Sequence, residues 1–175
     1  MKKYLPALLL VLLGVSSRLL PHPANFAPIA AIGLFAGMYL PKKFAFIIPA
    51  AALFTSDILL GFYTWQVMMA VYSCFAITSV IGLFLSKHKN LLTIASGTLG
   101  ASIIFFIVTN YAVWAFGTMY PHTVNGLFQS YIMALPFFKN SVLGDMFYTG
   151  MLVGSMEAIR FIQTKQQQSN LNQTI

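Results

Sequence analysis

The chain has 175 residues, of which 58% are hydrophobic and only 7% charged, and its formal net charge is +7. Soluble domains carry about 25% charged residues, so the composition argues against a soluble fold, and no polar stretch is long enough to form a separate soluble domain. The single cysteine, Cys74, excludes a disulfide framework or a cysteine-based metal site. The basic residues fall in short clusters between apolar runs, which is a topology signal and not a nucleic-acid patch.

Six apolar runs follow one another. The first, residues 4–20, comes after Lys2 and Lys3 and carries Arg18 near its end. Its basic start, apolar core and trailing small residues also fit a signal peptide, whose removal would leave five spans. Retention is the preferred reading, because it delivers Arg18 to the outer surface. The second run, 26–40, is short against the roughly 17–25 residues of a spanning helix. Pro28 suits its first turn, where the missing N–H is harmless. Ala27 with Ala31, then Gly33 with Gly37, make successive small-xxx-small pairs. Such pairs drive close helix contact in lipid, here either inside the bundle or as a docking face for another membrane subunit.

The third run, 44–62, holds Asp57, and the fourth is 65–85. The fifth, 91–117, holds Asn110 with Trp114 one turn later. Between it and the sixth, Val124, Leu127, Phe128, Tyr131, Ile132 and Leu135 repeat at helical spacing until Pro136. That pattern predicts a short amphipathic helix lying on the interface or over a cavity mouth. The sixth run, 141–162, holds Asp145, with Tyr148 and Thr149 on its face, and a second small pair, Gly150 and Gly154. Glu157 and Arg160 form a helix-surface pair. The expected fold is all-α, a six-helix transmembrane domain over residues 1–163. A polar, low-complexity tail over 164–175 is expected to be disordered.

Six crossings put Lys2, Lys3, Lys42, Lys43, Lys87, Lys89, Arg160 and Lys165 on one side, leaving only Arg18 and Lys139 on the other. By the positive-inside rule the first side is the cytoplasm. The expected location is the bacterial cytoplasmic membrane, with both termini inside. Counting along each helix at about 1.5 Å per residue then places Arg18, Asp57, Asn110, Trp114, Lys139 and Asp145 in the outer third of the bundle. A carboxylate at membrane depth costs at least about 2.5–3.5 kcal/mol and defaults to a functional hypothesis. The common depth reads as a pocket open to the outside. Trp114 and Tyr148 can stack on a flat ring, while the charged groups orient a polar or zwitterionic ligand.

Other readings remain open. Asp57 with Arg18, or Asp145 with Lys139, can be purely structural ion pairs. Asn110 can be interhelical glue, and Trp114 part of an interfacial aromatic belt. His22 and His122 lie in outer loops without a metal-binding spacing, so no metal and no cofactor is expected. Two intramembrane aspartates also evoke an aspartyl protease dyad, but Val142 stands where the Gly-x-Gly-Asp signature needs glycine. A Ser–His protease lacks a histidine inside a span. An ion- or proton-coupled carrier would use Asp57 or Asp145 as relay but lacks the usual inverted repeats. A structural membrane protein completes the set.

The stretches SRLLPHPANFAPIAAIGLFAG, SDILLG, TNYAVW and YIMALPFFKNSVLGDMFYTG resemble a family of uncharacterised bacterial inner-membrane proteins. Through six helices, the early small-residue pattern and SDILLG, that family is distantly similar to the substrate-binding S components of energy-coupling factor transporters. The resemblance implies a helical bundle binding a vitamin-like ligand near its outer face, capped by the loops after helices one, three and five. Asn25, in the first of these loops, joins the candidate site on that basis. It also implies a shared transmembrane subunit with two cytoplasmic ATPases, docked through Ala27, Ala31, Gly33 and Gly37. The chain has no P-loop of its own to power transport.

Overall fold

A computed structural model describes residues 5–173. They form six helices and, among the described residues, no strand: α1 (Leu5–Leu19), α2 (Ile29–Tyr39), α3 (Lys42–Leu60), α4 (Trp65–Leu85), α5 (Leu91–Phe116) and α6 (Val124–Gln173). Three of them, α3, α4 and α5, are long and apolar enough to cross a membrane. The outer surface of the bundle is apolar as well, with Leu8, Leu12, Phe54, Ile58, Phe84, Ile107 and Phe147 all exposed.

The shortest helix is the hub. Ten of the eleven residues of α2 are buried, and it packs against each of the other five helices. A helix that is apolar on every face belongs in a core. Ile32, Leu34, Phe35, Ala36 and Met38 join Leu10 of α1, Ile48 of α3 and Val153 of α6 in the main cluster. The small residues of α2 set how closely its neighbour approaches. A Cβ on Gly37 would stand 2.6 Å from the carbonyl oxygen of Ser79 and 2.8 Å from the backbone of Gly82. Gly33 faces the Ser79 hydroxyl, which donates to the Ala45 carbonyl of α3. Ala31 is fully buried, and Ala27 is half-buried in the α1–α2 loop. Of the small residues of the second run, Gly33 and Gly37 are therefore consumed against α4 and Ala31 is buried within the bundle, while Ala27 keeps partial exposure. The pair on α6 differs: Gly150 and Gly154 face open space.

The sixth element also departs from expectation. The amphipathic segment and the sixth apolar run are one unbroken helix of 50 residues that passes through Pro136. A proline inside a helix removes one backbone hydrogen bond. Here packing holds both sides of it, since Tyr131 and Phe138 meet the same α5 ring, Phe106, at 5.5 and 4.7 Å. The Tyr131 hydroxyl also donates to the Ile107 carbonyl at 2.9 Å. At the far end α6 runs through the stretch expected to be disordered as far as Gln173. No glycine or proline interrupts it there, and Gln and Lys are good helix formers.

At the end of the bundle where α2 finishes, Tyr39 gathers the charges. Its hydroxyl donates to Glu157 at 2.6 Å, while Lys89 and Arg160 lie over its ring at 4.1 and 4.8 Å. Glu157 and Arg160 form the expected i, i+3 pair at 3.7 Å. Burial lowers the proton affinity of Lys89, with Arg160 next among the causes. Tyr39→Phe is expected to cost about 0.5–1.5 kcal/mol, the net worth of one hydrogen bond. Tyr39→Ala should cost more, because both cation–π contacts go too. Reversible unfolding in mixed micelles checks the order.

Candidate ligand cavity

The opposite end of the bundle holds a cavity of about 230 Å³. It lies where α1 ends and α2 begins. Its polar lining is Arg18, Asn25, Tyr63, Ser141 and Asp145, and its apolar wall includes Ile29, Leu53, Val71, Phe75 and Phe105. The Phe75 and Phe105 rings meet at 5.4 Å and 43°. A second cavity, of about 200 Å³, shares Asn25, Val71, Phe105 and Ser141 with the first.

The α1–α2 loop forms part of the wall because α6 clamps it. Asn140 donates to the Ala24 carbonyl at 3.0 Å. Gly144 leaves room for Phe26, whose ring is 5.6 Å from Tyr148. Between these two fastenings the chain turns at Asn25, with φ of 64°. Asparagine tolerates that left-handed conformation better than most residues. Tyr63 comes from the α3–α4 loop. Burial, with the charge of Asp57 next, pushes its phenol up to about 12, so it keeps its proton at neutral pH.

Arg18 does not face the cavity as a free charge. Its Nη1 lies 2.8 Å from Asp57 Oδ1, with side chains 20% and 1% exposed. The same nitrogen donates to Ser56 Oγ at 2.5 Å and to the Leu53 carbonyl at 3.4 Å. The other Asp57 oxygen accepts from the Tyr72 hydroxyl at 2.9 Å. Asp57 Oδ1 has no hydrogen bond of good angle, so its contact with Arg18 is chiefly Coulombic. Asp57 is thus the support that fixes Arg18 and is absent from the cavity lining, a correction to its expected role as a direct ligand contact.

Asp145 is the contrasting case. It is 6% exposed, lines the cavity and accepts from Ser102 Oγ at 2.7 Å. Ser102 has one proton, and the Thr98 carbonyl at 3.1 Å is the alternative acceptor for it. Among the described residues no cation pairs with Asp145. Lys139, the structural partner the sequence offers for it, is exposed. One turn beyond Asp145, the Thr149 hydroxyl is buried without a hydrogen-bond partner.

The remaining expected site residues separate. Asn110 lines only the second cavity and donates to its own helix at Phe106. Trp114 lies outside both linings. Its Nε1 donates to the Pro121 carbonyl at 3.1 Å and its ring meets His122, so it staples the α5–α6 loop. Tyr148 positions Phe26 and lines neither cavity. His22 and His122 contact carbonyls of their own loops, and among the described residues no group of three His, Cys, Asp or Glu is placed to hold a metal. Sequence reasoning missed Tyr63, Tyr72, Phe75, Ser102, Phe105 and Ser141. Ser102 and Ser141 had a faint signal, as hydroxyls inside apolar runs.

With this geometry in place, comparison with known proteins adds one result. The model of a family of unknown function, DUF6580, matches residues 1–169. The chain belongs to that family. No curated protein and no solved structure gives a significant match. The matched region contains every residue of both cavities, so cavity, ion pair and Asp145 all lie within the part of the chain that the DUF6580 family model describes.

Proposed function

We propose that this chain is the substrate-capture component of a membrane importer for a small, vitamin-like molecule, similar in plan to the S components of energy-coupling factor transporters. The observation that carries this reading is the cavity between the α1–α2 loop and α6, where a buried Arg18–Asp57 pair adjoins an unpaired Asp145. Structural ion pairs explain one buried aspartate; they leave the other without a partner.

The shortness of α2 supports the same reading. Eleven residues make a helix about 16 Å long, roughly half the hydrocarbon thickness. Residues 20–28 would supply the rest of that crossing as non-helical chain. Irregular backbone is tolerated at membrane depth only where it is buried in protein or lines a cavity, and Asn25 and Ala27 line this one. Interrupted crossings of this kind mark substrate sites in transporters. The exposed apolar side chains on the bundle surface suit a lipid solvent. In this scheme the cavity end faces outward, and Lys42, Lys43, Lys87, Lys89, Arg160 and Lys165 face the cytoplasm. Energy would come from a separate transmembrane subunit with cytoplasmic ATPases.

Native mass spectrometry of the protein extracted in mild detergent tests the idea. The wild type should carry a small molecule, and Asp145→Asn should lose most of it while staying monodisperse. A wild type that emerges empty, and takes up nothing from the small-molecule fraction of a cell extract, defeats the reading. A second reading, an ion- or proton-coupled carrier, draws on the same unpaired carboxylate; it requires uptake that varies with pH. A protease dyad gains no support, because each aspartate has its own distinct partners.

A further inference from the structure

The charge inventory of the cavity narrows its ligand. Arg18 is neutralised by Asp57, and its Nη1 also serves Ser56 and Leu53. The pair is balanced before any ligand arrives. Ser141 spends its proton on the Phe137 carbonyl, so toward the cavity it can only accept. Asp145 has about four acceptor sites when ionised, and Ser102 fills one. Tyr63 and Asn25 can each donate or accept. With Arg18 balanced by Asp57, an ionised Asp145 is the one formal charge in the cavity lining without a partner.

We propose, building on the capture reading, that this site recognises a cation: a protonated amine or amidine borne by a single flat ring, with its N–H groups on Asp145 and the ring against Phe75 and Phe105. A buried carboxylate is stable when paired, and the ligand supplies the pair that the protein withholds. The ring faces of Phe75 and Phe105 also attract cations. A cavity of about 230 Å³ is below the roughly 300–1,000 Å³ of drug-sized sites, which suits one ring with a short substituent. A carboxylate or phosphate ligand would instead face Asp145 with no free cation to offset it. A zwitterion would bring its anion to an Arg18 already neutralised by Asp57.

Three probes of one shape separate these cases: phenethylamine, 2-phenylethanol and phenylacetate, titrated against purified protein in non-ionic micelles with the unfolding temperature as readout. Phenethylamine should raise that temperature at concentrations at least tenfold below either of the others. Asp145→Asn should reduce its advantage over 2-phenylethanol to less than about threefold. If Asp145→Asn fails to fold, the ranking of the three probes on the wild type decides by itself. If 2-phenylethanol or phenylacetate binds as tightly as the amine, cation recognition is wrong while ligand capture stands. If the amine stabilises wild type and Asp145→Asn equally, it binds micelle or surface and the inference fails. If none of the three binds, cation recognition at this site is wrong, and the capture reading stands or falls on native mass spectrometry.

Discussion

Gly82→Val should prevent the bundle from assembling, and Gly82→Ala should destabilise it by about 1–3 kcal/mol, the usual cost of overfilling a packed core. The reason is how α2 and α4 meet. A Cβ at Gly82 would sit against the Leu34 backbone, 2.9 Å from its Cα and still closer to its carbonyl oxygen. Backbone cannot rotate aside as a side chain can, so α2 and α4 would have to separate. Because α2 touches every other helix, that separation loosens the whole core. Gly37→Ala should behave alike, since it presses on the other side of the same crossing. Gly100→Ala is the control: a Cβ there meets nothing within 4 Å, and the change should be neutral or stabilising by up to about 1 kcal/mol through helix propensity. Equilibrium unfolding in mixed micelles measures all four. Equal losses at Gly82 and Gly100 would mean that the α2–α4 crossing is not the tight contact described.

That crossing also shows where sequence reasoning reached and where it stopped. The Ala and Gly pairs of the second run announce close approach of another helix, but spacing cannot say whose. The answer came from burial: an eleven-residue helix with ten buried residues has no face left for an outside partner. Depth was legible in the same way. Arg18 with Asp57, and Asn25 with Asp145, fall at one end of the bundle because residue counting tracks height. Lys139 and Asp145 both follow Pro136, and six residues rotate about 240° on any helix, so Lys139 turns away from Asp145 with or without a break at the proline. Ser141, four residues before Asp145, stays on its face and lines the cavity. Nothing local in the sequence announces that a loop carbonyl, Pro121, claims the Trp114 N–H.

Arg18→Met is expected to destabilise the protein by about 3–5 kcal/mol, the range for breaking a buried pair and stranding one charge. The two halves of this pair should not be equivalent. Asp57 is 1% exposed and Arg18 20%, so an unpaired Asp57 has no solvent to turn to, whereas an unpaired Arg18 can reach water along its long stem. Asp57→Asn keeps a polar group opposite Tyr72 and should cost clearly less than Arg18→Met. The double variant Arg18→Met with Asp57→Leu removes both charges together. It should recover most of the loss, as apolar replacement of buried pairs often does. A double variant as unstable as Arg18→Met alone would show that shape at this site matters more than charge balance. The comparison also separates support from recognition. If Asp57 acts only by neutralising Arg18, Asp57→Asn should weaken phenethylamine binding because it frees a cation in the cavity, and the double variant, which removes both charges, should restore it. A double variant that binds as poorly as Asp57→Asn would put Asp57 in the ligand's own contacts, against the hydrogen bond and ion pair that now occupy it.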